Sequence, residues 1–309
     1  MQNKKALVLL NMGGARNKEE LKMFLINMFN DENILTIKNR FLRKIIAFMI
    51  TKKRLNEAWK NYEQIGNSSP INHLTESLVL KCNQKIEDFK TYQAMRYTPP
   101  FASTTIKEIS KDNIKEIVLL PLYPQYSTTT TKSSVEDFIN NLPKDFKKIR
   151  YIENFYKNEE FNSLIIDEII RNCDNVVGTN LVFSAHGLPQ TIVDSGDPYE
   201  KQMIEHVEIL SKMLKSKNIE FKSINLAYQS KVGPMKWLEP SLNNKLNELD
   251  DNVLIYPLSF IIDNSETDFE LAIEYKKIAQ ELGINNYKVC QCVNDSDNFI
   301  EVIKEVIKE

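Results

Sequence analysis

What most constrains this chain is its rhythm: short apolar runs rich in Val, Ile and Leu alternate with longer amphipathic ones along its whole length. Eight runs have strand length and composition, at 5–11, 91–95, 117–121, 149–152, 180–184, 222–227, 252–257 and 287–292. Helical periodicity fills most of the spacing and is clearest at 161–173, 199–215 and 266–282. Strands separated by helices pair in parallel, because the crossover returns the chain to the same end of the sheet. Helices then cover both faces, so each strand reads as a continuous apolar run. The pattern predicts an α/β fold built on parallel sheets.

A chain of 309 residues is long enough for about two domains. An internal echo supports two doubly wound halves. Leu7-Val8-Leu9-Leu10-Asn11-Met12-Gly13 resembles Leu181-Val182-Phe183-Ser184-Ala185-His186-Gly187, and 117–122 resembles 253–258, in the same order. The expected division is 1–153 and 154–309, with a last helix at 296–309 packing back on the first half.

Charge and cysteine usage narrow the function classes. Forty basic against forty-two acidic residues leave a net charge of −2, which argues against a nucleic-acid partner. Four cysteines in so long a chain form no disulfide framework and fit a reducing compartment. No apolar run approaches the roughly 18 residues of a membrane span, and the run after Lys5 is too short for a signal peptide. A cytoplasmic protein is expected.

In open α/β sheets ligands gather beyond the carboxyl ends of the strands, so the residues there carry the functional information. His186 follows a strand and is held by Gly187 and Pro189. Its imidazole can accept a proton or bind a metal, or it can simply be satisfied in a turn. His73 and His206 sit in polar helical patterns and read as solvated. Asp263, Glu266, Glu270 and Glu274 are spaced three, four and four apart, which on an α-helix makes one acidic stripe able to hold protons or guide a cation. The same Asp263 and Glu266 also fit a helix-capping box. Met12-Gly13-Gly14 lacks the remaining glycine of a dinucleotide fingerprint; two adjacent glycines instead let a flat ligand approach the backbone. Cys290 and Cys292 read as small apolar residues on a strand. Residues 33–56 contain no acid and form a basic amphipathic helix, suited to a core-facing role, to steering an acidic ligand or to an anionic membrane surface. Tyr97, Tyr123, Tyr126 and Trp237 gather near strand ends and together suit a large planar hydrophobic ligand.

These segments together resemble the ferrochelatases, which insert ferrous iron into protoporphyrin IX as the last step of haem synthesis. The matching stretches are 10–14 (LNMGG), 65–71 (IGNSSPI), Met95-Arg96-Tyr97, 121–127 (PLYPQYS), 183–189 (FSAHGLP), Gly196-Asp197-Pro198-Tyr199, 228–240 (YQSKVGPMKWLEP) and Asp263-x-x-Glu266-Thr267. They occur in the family's order over almost the full chain. The resemblance implies two Rossmann-like domains with an active-site cleft between them. It also implies that His186 and Glu266 are catalytic and meet the metal, that Asp263 and Glu270 form a proton or metal path, and that Met12, Arg96, Tyr97, Tyr123 and Trp237 contact the porphyrin. Ferrous iron and protoporphyrin IX are then substrates, with two protons released and no other cofactor. A contact through 40–54 with the inner face of a membrane fits substrates so poorly soluble.

The sequence departs from the family pattern at a few positions. Asn264 stands where His is common, Asn67-Ser68-Ser69-Pro70 replaces a glycine-rich turn, and Leu242-Asn243 replaces Thr-Asp. The lack of a cysteine-bearing C-terminal extension implies no iron–sulfur cluster. A sirohydrochlorin-type chelatase and a non-catalytic porphyrin carrier are the alternatives. The aromatic lining speaks against the first and the acidic stripe against the second.

Overall fold

The computed structural model describes residues 5–144, 146, 148–231, 233 and 235–308; Val232 and Pro234 of the 228–240 stretch lie outside them. The chain divides into two compact units, Met1–Asn154 with Asp295–Glu309, and Phe155–Asn294. Among the described residues, eight strands form two four-stranded parallel sheets.

In the first unit β1 (Lys5–Asn11), β2 (Phe89–Met95), β3 (Glu116–Pro121) and β4 (Lys148–Tyr151) lie in the order β2-β1-β3-β4. β1 is buried from Ala6 to Asn11, as a central strand covered on both sides must be. Ala6, Val8 and Leu10 pack with Ile106 and Ile109 of the helix Ala102–Lys111 and with Phe138 of Ser133–Asn140. Leu7 and Leu9, one residue out of phase, are buried on the opposite face. The helix Arg40–Gln64 is capped by Asn39, whose side chain accepts the N–H groups of Phe41 and Leu42. The last helix, Asp297–Val306, packs on Ile71–Lys85 of the same unit.

In the second unit β5 (Thr179–His186), β6 (Ser223–Gln229), β7 (Asn252–Pro257) and β8 (Asn286–Val289) repeat the order as β6-β5-β7-β8. The register repeats as well: Leu10 lies opposite Pro121 in one sheet and Ser184 opposite Pro257 in the other. In both units a π-helical segment follows the third strand, Thr128–Lys132 and Glu266–Glu274, and passes directly into an α-helix.

The structure revises several sequence-based expectations. β5 runs on to His186, because pairing with β6 continues to Gln229 after β7 has ended. β8 stops at Val289, so Cys290 and Cys292 lie beyond it. The 266–282 segment is not one α-helix: it winds as a π-helix to Glu274 and as an α-helix over Tyr275–Glu281. His206 is not solvated. Its ring is fully buried in the helix Tyr199–Ser216 with Nε2 2.7 Å from Asn162 Oδ1, and burial pushes its pKa down to about 3.

Candidate active site

The carboxyl ends of β5, β6 and β7 bring His186, Gln229 and the segment before Glu266 together in the second unit. His186 Nδ1 lies 2.8 Å from Glu266 Oε2. A carboxylate only accepts, so Nδ1 carries the proton, and neutral His186 presents its lone pair at Nε2. Nε2 has no partner among the described residues, and the side chain is 38% exposed. Glu266 Oε2 also accepts from Gln229 Nε2 at 3.1 Å and lies 3.2 Å from Ser230 Oγ, while Oε1 has no partner among the described residues. Burial opposes charge on both partners, yet the pair outweighs it. His186 is held above its ordinary pKa by the charge and hydrogen bond of Glu266, with Glu270 adding to them. Glu266 is held below its own by His186, Ser230 and Gln229. The arrangement offers an outward-facing basic nitrogen beside an ionised carboxylate.

Behind this pair stands Glu270, 40 residues from Ser230 in sequence but joined to it twice: Oε1 accepts the Ser230 N–H at 2.8 Å and Oε2 its hydroxyl at 2.6 Å. Burial, and then the neighbouring Glu266 charge, lift the Glu270 carboxyl to about 7. Ser230 meets both carboxylates from a left-handed backbone, φ 66°, rare for a residue with a side chain. The carboxylate of Asp263 lies outside this group. It accepts the Cys292 N–H at 3.1 Å and Asn294 Nδ2 at 2.7 Å, tying two strand-end segments together. The capping box does not form either: Asn264 Oδ1 takes the Glu266 N–H at 2.8 Å, and its Nδ2 donates to the Ile262 carbonyl. Asn264 therefore sets the backbone from which Glu266 projects.

Trp237 is nearly buried beside the turn after His186. It bridges Pro189, and a Cβ on Gly187 would come within 3.3 Å of its Cε3. Cys290 and Cys292 are buried and burial pushes both thiols up, so neither favours the thiolate form.

The first unit has its own strand-end group. Met12 is half-buried at the end of β1, with its carbonyl accepting the Tyr97 N–H at 3.0 Å. Gly13, at φ 82°, turns the chain there. Arg96 is held firmly: Nη2 is 2.9 Å from Asp31 Oδ2, Nε donates to Ser133 Oγ at 2.8 Å, and Nη1 is 3.4 Å from Asp137. Tyr97 has no exposed surface, and its hydroxyl donates to the same Asp31 oxygen at 3.0 Å. Tyr123 is buried with its hydroxyl 3.2 Å from Ser134 Oγ. A polar cavity of about 400 Å³ beside Arg96 is lined by Asn27, Asn30, Asp31, Phe101 and Asp137.

Gln229, Ser230, Ser259 and Tyr199 had no expected role, although each lies at or just past a strand end, or in one of the family-like stretches. The only local signal was that position; hydroxyl and amide partners brought together from different strands leave no spacing pattern.

A ferrochelatase family model matches residues 4–309. The chain is 50% identical over 307 residues to a ferrochelatase of Nitratiruptor sp., covering 98% of each chain. It is 51% identical over 313 residues to one of Campylobacter concisus, covering 99% of this chain and 98% of the relative. Among solved structures it is similar to SirB from Bacillus subtilis with Fe3+, at a TM-score of 0.60 and 11% identity, covering 99% of this chain and 95% of that one. It is also similar to CbiX, the terminal enzyme for siroheme biosynthesis in denitrifying bacteria, at a TM-score of 0.56 and 13% identity, covering 99% and 98%. At such identities these two establish the fold alone. With a family model spanning nearly every residue and relatives at half identity over their full lengths, the chain belongs to the ferrochelatase family.

Proposed function

We propose that this chain inserts ferrous iron into protoporphyrin IX, releasing two protons and forming protohaem, the last step of haem biosynthesis. The observation that carries the reading is the His186–Glu266 pair, with His186 Nε2 and Glu266 Oε1 both unpaired among the described residues, in a chain of this family. Iron must displace two pyrrole protons and exchange its own water. A nitrogen made more basic by a carboxylate suits the first task, and a carboxylate with a free oxygen suits the second. His186 and Glu266 are the catalytic and metal-meeting residues in this proposal, and Glu270 receives protons behind them. Asp263 holds the segment that leads to Glu266. Met12, Tyr123 and Trp237 contact the macrocycle. Arg96 meets a propionate, since guanidinium pairs strongly with carboxylate. The buried Tyr97 serves by fixing Asp31 and through it Arg96.

Iron is substrate only in this proposal. Cys82, Cys290 and Cys292 are buried, with thiols held in the protonated range by that burial, the first near 12.

Anaerobic absorbance with ferrous iron and excess protoporphyrin IX tests the reading. Many turnovers to haem are expected. His186→Ala should lower the rate at least a hundredfold while porphyrin affinity stays within about threefold. Porphyrin binding without turnover by the parent would reassign the chain as a carrier.

We further propose a peripheral membrane contact through 40–54, at the inner face of the cytoplasmic membrane. No described helix is long and apolar enough to cross a membrane. Yet on the helix Arg40–Gln64 Phe41 is 73% exposed, Phe48 58% and Met49 56%, among Arg40, Lys44, Lys52 and Lys53. Apolar side chains exposed beside several cations match the requirements of an anionic lipid surface.

A further inference from the structure

The end of β5 carries His186 one pairing step beyond its neighbour. On the β7 side the register stops at Ser184 opposite Pro257, with the Leu258 N–H donating to the Ser184 carbonyl at 2.8 Å. Backbone groups of alternate residues face the same neighbour, so the N–H and C=O of His186 also point to that side, where no strand continues. Buried backbone groups do not stay unpaired. Two side chains from different elements take the place of the missing strand. The His186 N–H donates to Ser259 Oγ at 2.7 Å, and the Tyr199 hydroxyl donates to the His186 carbonyl at 3.0 Å. Ser259 Oγ and the Tyr199 hydroxyl oxygen are 2.8 Å apart.

The direction of that last bond follows from the other two. Tyr199 has spent its one proton on the His186 carbonyl, so Ser259 must donate to Tyr199. The three bonds close into a ring: His186 N–H to Ser259, Ser259 to Tyr199, Tyr199 back to His186. Each hydroxyl donates once and accepts once, and both residues are buried.

We propose that Tyr199 and Ser259 are positioning residues for His186, a side-chain substitute for the absent strand that fixes the backbone from which the imidazole reaches Glu266. The inference rests on the proposed role of His186 in iron insertion. Placement matters at this site because misplacing a reacting group by about 1 Å can cost on the order of a hundredfold in rate.

The test uses Tyr199→Phe, Ser259→Ala, the double variant and Ser259→Thr in the full chain. Each of the first two should lower kcat for iron insertion about tenfold or more, with KM for protoporphyrin within twofold and the thermal midpoint little changed. Because both hydroxyls belong to one ring, the double variant should lose no more than the worse single one. Ser259→Thr, which restores the hydroxyl, should recover most of the rate. Retained kcat in both single variants, independent multiplicative losses, or a folded Ser259→Thr no better than Ser259→Ala would overturn the proposal. The His186 Nδ1 proton resonance, assigned by its loss in His186→Ala, is read in parallel and needs no turnover. It should broaden or shift in Tyr199→Phe and Ser259→Ala and return in Ser259→Thr; an unchanged resonance counts against the ring. Should the parent insert no iron, the reading of the reaction fails while this resonance still decides the positioning role.

Discussion

Glu270 shows how much one residue's surroundings decide. Burial and the Glu266 charge lift its carboxyl from an ordinary 4.5 to about 7, so the folded chain keeps a proton that the unfolded chain has lost. The Glu270 contribution to stability therefore falls as pH rises from about 4.5 to 7 and is level above. The His186–Glu266 pair behaves oppositely at its two limits. The Glu266 part is present above its ordinary value and lost as pH falls through its lowered one, and the His186 part is lost as pH rises through its raised one. Glu270→Gln should flatten the decline between about pH 4.5 and 7 in chemical denaturation, and should remove the ionisation that Glu270 contributes near 7 to the rate profile, leaving that of His186. A Glu270→Gln profile that superimposes on the parent's would place that proton elsewhere. At this scale the positions of His186 and Glu266 past strand ends were legible in the sequence, but their roles came only from the resemblance to the ferrochelatases, since position and spacing alone fit a satisfied turn and a helix cap equally well. The burial of His206 was not legible. Its polar helical neighbours suggested water, whereas the partner that satisfies it, Asn162, lies 44 residues away.

Among elements, the strands were the most legible, since a parallel strand buried on both faces is a run of apolar residues with little else to explain it. The helix after β7 was the least legible. Its acidic spacing of three and four was read on an α-helical wheel, but the segment winds as a π-helix with a wider turn. Glu266 and Glu270 still meet through Ser230, while Asp263 is drawn off to Cys292 and Asn294. The β5 turn depends on a residue without a side chain. A Cβ on Gly187 would stand 2.6 Å from the Gln229 carbonyl oxygen, a backbone atom that cannot swing aside. Gly187→Ala should destabilise the chain by about 1–3 kcal/mol through this overpacking, seen as a lowered thermal midpoint. It should also slow iron insertion, because Gln229 and His186 share that register. An alanine variant with the parent's midpoint and rate would show that the strand ends can separate freely.

For the molecule as a whole, net charge near zero conceals an uneven surface: residues 33–56 hold seven cations, of which Arg43 is buried, and no acid beside exposed Phe41 and Phe48. Sedimentation with anionic vesicles at low salt should fall with Phe41→Glu and Phe48→Glu together, and again with added salt. Turnover on detergent-dispersed porphyrin should be unchanged by the pair. Equal sedimentation of parent and variant would assign the helix a different purpose. The echo between the halves was legible as a likeness of apolar strings; its extent was not, because matching strand order, register and π-helical segments exist only once the sheets are formed. That match puts Met12 and His186 at the same place in their respective sheets, each two residues past the one opposite a proline. One of these matching positions ends in a thioether and the other in an imidazole, so a single backbone plan, used twice, delivers two different chemistries at its strand ends.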